Sequence, residues 1–199
     1  SILGCARDLA CYLKADLIMP EAIDLPSQIE VNSQIEIKVD CPDLVNRFTT
    51  LVIKGLNVKP SPSWLSNRLE AYGIPSINNV VDITNYVMVE MGQPMHAQDI
   101  AKLSKKEIHI RRAKEGETLT SFLGENIKLD NECFVLCQND KPTVLGGIVG
   151  SKDTGIDNAT VDIVLDAGNY NQVNIRKTSR RLKILNETVL RYDKLLSSQ

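Results

Sequence analysis

The chain is expected to fold as α+β, with a mainly antiparallel or mixed sheet system and helices packed outside it. Three observations predict this. Hydrophobic residues make up 43% of the 199 but aromatics only 5%, so a core has to be built from Ile, Val and Leu, which favour strands. Strand-like runs cluster around two early helical stretches without a β–α–β alternation. From Glu107 onward the texture is one of short strands and turns.

Taken in order, Leu3, Ala6, Leu9, Ala10, Leu13 and Leu17 recur at helical spacing, which predicts a first helix over 3–17. Pro20 forbids its continuation. The polar stretch from Ala22 to Asn32, with Pro26, reads as a linker. Ile35, Ile37 and Val39 alternate with Glu36 and Lys38, marking a half-buried strand that ends at Cys41-Pro42. Phe48 to Leu56 is more continuously apolar and predicts a more buried strand. Pro60-Ser61-Pro62-Ser63 stops the sheet and starts a helix through Trp64, Leu65, Leu69 and Tyr72, closed by Gly73. Asn78-Asn79 can cap a second helix, with Val80, Ile83, Val87 and Met91 on one face and Gly92 at its end. From Glu107 the texture changes to short strands at Ile108–Arg111, Leu119–Phe122, Phe134–Leu136, Val144–Leu145 and Val161–Leu165. A basic helix, Val173–Leu182, follows.

Bulk properties exclude several classes. A net charge of −2 implies no global attraction to RNA or membrane, so nucleic-acid contact needs a local basic patch. No apolar run approaches the roughly 20 residues of a membrane span. The five cysteines (Cys5, Cys11, Cys41, Cys133 and Cys137) form no CxxC pair, and read as reduced thiols of a cytosolic protein. The opening Ser1-Ile2-Leu3-Gly4-Cys5 has no initiator Met, basic flank or cleavage site, as expected of a piece of a longer chain. Residues 1–20 then read as a helical segment entering from an upstream domain, and 21–199 as the domain proper.

Few side chains have the character of a site. His96, just after Gln93-Pro94, can bond a ribose hydroxyl or orient a water, or can simply fix its own loop. His109 alternates with Ile108 and Ile110 and reads as a sheet-surface residue. Asp166 ends the apolar run Ile163-Val164-Leu165. It can accept a hydrogen bond from a ligand or cap a turn. Gly146, Gly147 and Gly150 let a backbone approach a ligand, or serve a sheet bend. Arg176-Lys177-Thr178-Ser179-Arg180-Arg181-Leu182-Lys183 contains no acid. It can bind phosphates, contact a subunit or face solvent. No Ser-His-Asp set, metal-ligand spacing or reactive thiol is apparent.

Three segments together resemble one family. They are Ile77-Asn78-Asn79-Val80-Val81-Asp82-Ile83-Thr84-Asn85-Tyr86-Val87 with Gly92-Gln93-Pro94-Met95-His96-Ala97, then Arg111-Arg112-Ala113-Lys114-Glu115-Gly116-Glu117-Thr118-Leu119, and lastly Gly146–Gly150 with Val164-Leu165-Asp166-Ala167, Ile175-Arg176 and Arg180-Arg181-Leu182. In order and spacing they are similar to the editing domain of the bacterial phenylalanyl-tRNA synthetase β subunit. The resemblance implies part of a cytoplasmic α2β2 ligase that joins phenylalanine to tRNA(Phe) and hydrolyses mischarged Tyr-tRNA(Phe) in this domain. The alternative is a structural, tRNA-positioning module with an inactive editing site. ATP and magnesium are implied for the whole ligase, at a site elsewhere, and no cofactor or metal for this fragment. The α subunit and tRNA are the implied partners.

Residue by residue, the resemblance places His96 as the catalytic histidine. It places Asp166, Gly147, Gly150, Asn186 and Thr188 around the substrate, while the basic run itself, and not the resemblance, makes Arg176, Arg180 and Arg181 the expected tRNA contacts. The chain departs from the family pattern at Asp166, usually Glu, and at Ser151, usually Gly. It departs again at Pro75, an arginine in some relatives, and at Asn186 and Thr188, usually Thr and Ala. Weaker editing than in relatives with the usual residues is therefore expected.

Overall fold

The computed structural model describes residues 1–21, 35–103 and 105–196. Its architecture is α+β, with one five-stranded sheet, one three-stranded sheet, a small hairpin and helices outside them. The linker expected over 22–32 lies outside the described residues.

The chain opens with α1 (Ile2–Leu13), capped by the Ser1 side chain on the Gly4 N–H. It stops one turn short of the expected end. Lys14 turns left-handed at φ 51°, and the Ala15 N–H bonds back to the Ala10 carbonyl, 3.0 Å away. That closure satisfies the last carbonyls before Pro20 is reached. None of the residues of α1 is buried.

The large sheet holds β1 (Glu36–Val39), β4 (Glu107–Arg112), β7 (Phe134–Gln138), β8 (Lys141–Leu145) and β9 (Val149–Gly150) in the order β1-β4-β7-β8-β9. Only the β1–β4 ladder is parallel among the described strands. The second sheet sets β10 (Ile163–Tyr170) between β2 (Val45–Ile53) and β3 (His96–Asp99). A hairpin, β5 (Thr118–Thr120) and β6 (Asn126–Lys128), reaches the end of β9 through a Ser121–Ser151 bridge. The main core lies between the two larger sheets. Ile108, Ile110, Val135, Leu136, Val164 and Ile175 are each at most 1% exposed, and α4 (Gln172–Leu182) and α5 (Glu187–Tyr192) close it.

One burial expectation is qualified and one is corrected. β2 is better covered than β1, three of whose four residues are exposed, but it too is an edge, paired only with β10, and buries only Val45 fully. Its apolar run reflects strand propensity rather than two covered faces. In α3 (Asn79–Met91) the buried stripe is Val80, Thr84 and Met88 with Asp82 and Val89, while Ile83 and Met91 are exposed. The rotation follows from Asp82. Its carboxylate is fully buried because it accepts from Ser61 Oγ, Ser76 Oγ and the Ile77 N–H, so a charge that a hydropathy reading points outward sits inside. α2 (Ser63–Tyr72) packs on α3, and α3 packs on β3. Asn78 accepts from the Val80 and Val81 N–H groups, and Gly92 closes the far end at φ 92°.

Candidate functional site

The segment after α3 delivers the site. Gln93 crosses from Gly92 to β10, donating to the carbonyls of Pro94 and Gly168 and to the Tyr192 hydroxyl. Pro94 then turns the chain into β3, a strand that no alternation announces. The β3–β10 register sets His96 directly opposite Asp166, so the two side chains share one face. His96 Nδ1 lies 3.4 Å from Asp166 Oδ2, but its direction makes no hydrogen bond and leaves Nδ1 without a partner. Asp166 accepts instead from Gln98 Nε2 at 3.3 Å.

The other edge of His96 abuts Gly150. An added Cβ at 150 would stand 2.8 Å from His96 Nε2, so the strand passes the imidazole only because nothing projects there. Beside it Gly147, at φ 67°, forms the turn into β9.

These groups line one cleft of about 90 Å³, which is walled by Leu136, Val144, Ile148, Val149 and Thr188, with Pro94 and Met95 beside His96, and floored by Tyr170 and Tyr192. Tyr170 is tilted against Phe134 at 5.0 Å and against Tyr192 at 4.9 Å. Burial, with Asp166 nearby, raises both phenols above their ordinary range, so they stay neutral donors. The cleft is thus an apolar, aromatic slot with a carboxylate and an imidazole at one end. Such a slot suits a flat side chain with a polar tip.

Of the residues expected from sequence, His96, Asp166, Gly147, Gly150 and Thr188 meet here. Asn186 does not line the cleft. It caps α5 on the Val189 N–H and donates to the Ile148 carbonyl, so it holds the cleft wall from behind. Arg176, Arg180 and Arg181 lie on α4, outside the lining. Arg176 donates to the Asp193 carbonyl, and Arg181 is paired with Asp130 at 2.8 Å. Pro75 is exposed between α2 and α3, also off the lining. Ser151 is buried beside the hairpin bridge. His109 bonds Asp40 at 2.6 Å on β4. Tyr170, Tyr192 and Gln98 were not anticipated. A signal existed for the first, since Asp166, Gly168 and Tyr170 alternate on one strand face. Among the described residues no three potential metal ligands cluster, and no helix is long and apolar enough to cross a membrane.

This fold and cleft define a domain class. The family profile of the B3/4 domain matches residues 44–199, and the chain belongs to that family. Its relatives are more particular. The phenylalanine–tRNA ligase beta subunit of Carboxydothermus hydrogenoformans is 38% identical over 98% of this chain and 24% of its own length. The beta subunits of Streptococcus thermophilus and Porphyromonas gingivalis are each 39% identical over the same shares. The chain therefore spans about a quarter of the length of the curated relatives it matches. A solved N-terminal fragment of the phenylalanyl-tRNA synthetase beta-subunit from Pyrococcus horikoshii superposes with TM-score 0.51, covering 90% of this chain and 56% of that one at 13% identity. At that identity the likeness is one of fold.

Proposed function

We propose that this chain is the editing domain of a phenylalanine–tRNA ligase β subunit and hydrolyses tyrosine from mischarged tRNA(Phe). On this reading residues 1–20 enter from an upstream domain and 21–199 form the editing domain. The whole cytoplasmic enzyme is an α2β2 assembly with the α subunit. ATP and magnesium serve its aminoacylation elsewhere.

The observation that carries the reading is the pairing of His96 with Asp166 at one end of an aromatic slot. An aminoacyl ester is already activated, so a positioned water and a donor for the oxyanion can suffice. In this proposal the amino-acid ring lies against the floor of Tyr170 and Tyr192, and Asp166 accepts from its hydroxyl. His96, with a third of its side chain exposed, orients the water or the ribose. The Gly147–Gly150 backbone supplies N–H groups to the carbonyl oxygen. Arg176, Arg180 and Arg181 are assigned to the tRNA backbone, with Arg180 the most available, since the other two have internal partners.

One observation favours a second reading, a tRNA-positioning module with an inactive site. The cleft of about 90 Å³ is below the roughly 300 Å³ of an ordinary ligand pocket, and Thr188 narrows it. Single-turnover release of tyrosine from Tyr-tRNA(Phe) by the full ligase separates the two. The editing reading expects His96→Ala to slow release about 10²–10⁴-fold while phenylalanine charging is kept. Release that is unchanged in His96→Ala, or undetectable in the wild type, supports the second reading.

A further inference from the structure

A fully buried polar side chain behind the cleft, in contact with Asp166, has no role in the scheme above. Gln98 is 0% exposed and pairs with Val164 across the β3–β10 ladder, two residues along from the His96–Asp166 pair. Because strand side chains alternate, Gln98, His96, Val164 and Asp166 share one face, and Gln98 is the diagonal neighbour of Asp166. Its amide nitrogen donates to Asp166 Oδ2 at 3.3 Å. The same oxygen lies 3.4 Å from His96 Nδ1. Both neighbours therefore address one carboxylate oxygen and leave the other toward the cleft, whose lining includes Asp166.

The orientation of the amide follows from chemistry. Reversing it would set a carbonyl oxygen against a carboxylate oxygen, two acceptors with no proton between them. With the nitrogen on Asp166, Oε1 is buried without a partner. A buried, unpaired amide oxygen is a cost that Leu or Met at 98 would avoid. The bond to Asp166 is what offsets it.

We infer that Gln98 is a positioning residue that sets specificity. It fixes the Asp166 carboxylate so that one oxygen is presented, preorganised, to a hydrogen-bond donor at the tip of the bound side chain. The inference rests on the aminoacyl-ester reading for its ligand, a hydroxylated aromatic amino acid over a plain one. Without the Gln98 amide, the carboxylate rotates toward His96 and the acceptor is lost, while the rest of the slot persists.

The test measures binding before chemistry. Amide-linked tyrosyl-adenosine and phenylalanyl-adenosine, which cannot be hydrolysed, are titrated into the full ligase carrying wild-type, Gln98→Met or Gln98→Asn chains. Met keeps the volume without a donor, and Asn keeps an amide but withdraws it by one methylene, so a folding defect in one variant leaves the other informative. The wild type should prefer the tyrosyl compound, and both variants should lose about tenfold of that preference, the worth of one such bond. Phenylalanyl affinity should hold within about twofold. For hydrolysis, KM for Tyr-tRNA(Phe) should rise with little change in kcat. Equal affinity for the two compounds in the wild type overturns the inference, as does a preference kept in folded variants or an equal loss for both compounds. A wild type that prefers the tyrosyl compound yet releases no tyrosine from Tyr-tRNA(Phe) defeats the editing proposal and leaves this inference standing.

Discussion

Alanine at either of two glycines of the same loop has opposite expected consequences. At Gly150 a methyl would meet His96 Nε2 at 2.8 Å. That imidazole is partly exposed at the end of a side chain, so it can swing aside. Gly150→Ala should therefore keep stability within about 0.5 kcal/mol and, on the editing proposal, slow tyrosyl-ester release roughly 10²-fold by misplacing the histidine. At Gly146 a methyl would fall 1.9 Å from the Phe134 ring, which is 1% exposed in the main core and has nowhere to go. Gly146→Ala should cost about 1–3 kcal/mol through overpacking. Denaturation midpoints for both variants, beside deacylation rates for Gly150→Ala, check the contrast. Equal destabilisation of the two would show that the His96 pocket is as rigid as the core. Asp166 gives a third test at this scale. Extending it by one methylene in Asp166→Glu should strengthen selection for tyrosine if the shorter reach limits the site, and an unchanged tyrosyl-to-phenylalanyl ratio would show that it does not.

Among the elements, α5 depends on a single side chain at its start. Asn186 Oδ1 accepts from the Val189 N–H while Nδ2 donates to the Ile148 carbonyl, at 2.9 Å each. One residue thus caps a six-residue helix and ties it to the glycine loop. Too short to persist alone, α5 is held by that tie and by the packing of Val189 and Tyr192. Asn186→Ala should cost about 1–2 kcal/mol and raise amide exchange in α5 and the 146–150 loop together. Exchange confined to α5 would mean that the Ile148 bond does not couple them. Asn186→Thr, the residue usual in the family, should retain the cap and lose only the amide donation. The Gln93 hydrogen bonds perform a similar service for β3, anchoring a short edge strand to Gly168 and Tyr192.

At the scale of the whole molecule, one ion-pair network centres on a buried arginine. Arg111, 9% exposed at its side chain, forms a bidentate pair with Glu117 at 2.8 and 2.9 Å and also binds Asp140, which Lys114 meets as well. The hydrogen bonds from Arg111 hold the Glu117 carboxyl below its ordinary value of 4.5, against the opposing effect of burial. A depressed carboxylate pKa means that the folded state favours the charged form. The stabilisation is complete above that ordinary value and is lost as pH falls through the folded value. Glu117→Gln should therefore destabilise the chain by about 1–3 kcal/mol at pH 7, and its stability should converge on that of the wild type in acid. Denaturation followed through Trp64, the single tryptophan, would measure both. A constant gap down to pH 3 would mean that the loss is packing and not charge.

What the sequence alone determined was local. Pro62, Asn78, Gly73 and Gly92 bound α2 and α3 as read, because caps and left-handed closures depend on a few adjacent residues. β4 followed from alternation, β7 and β8 from apolar runs, and α4 from the basic helix expected over Val173–Leu182. Resemblance in motif order brought His96, Asp166, Gly147, Gly150 and Thr188 to attention, and the fold gathers them at one cleft. The tertiary structure decided the rest. β3 has no alternation of its own, since three of its four residues are buried, and it exists by pairing with β10. α5 is too short for a periodic signal. The inward turn of Asp82 depends on hydroxyl and N–H donors at Ser61, Ser76 and Ile77 that a hydropathy reading does not register, and the solvent-facing side of β2 depends on a partner strand distant in sequence. Gln98 shows the limit most sharply. It reads as an ordinary polar residue until the β3–β10 register places it diagonally beside a carboxylate 68 positions away, because a side chain's partner across a sheet is set by register and not by its neighbours in the chain.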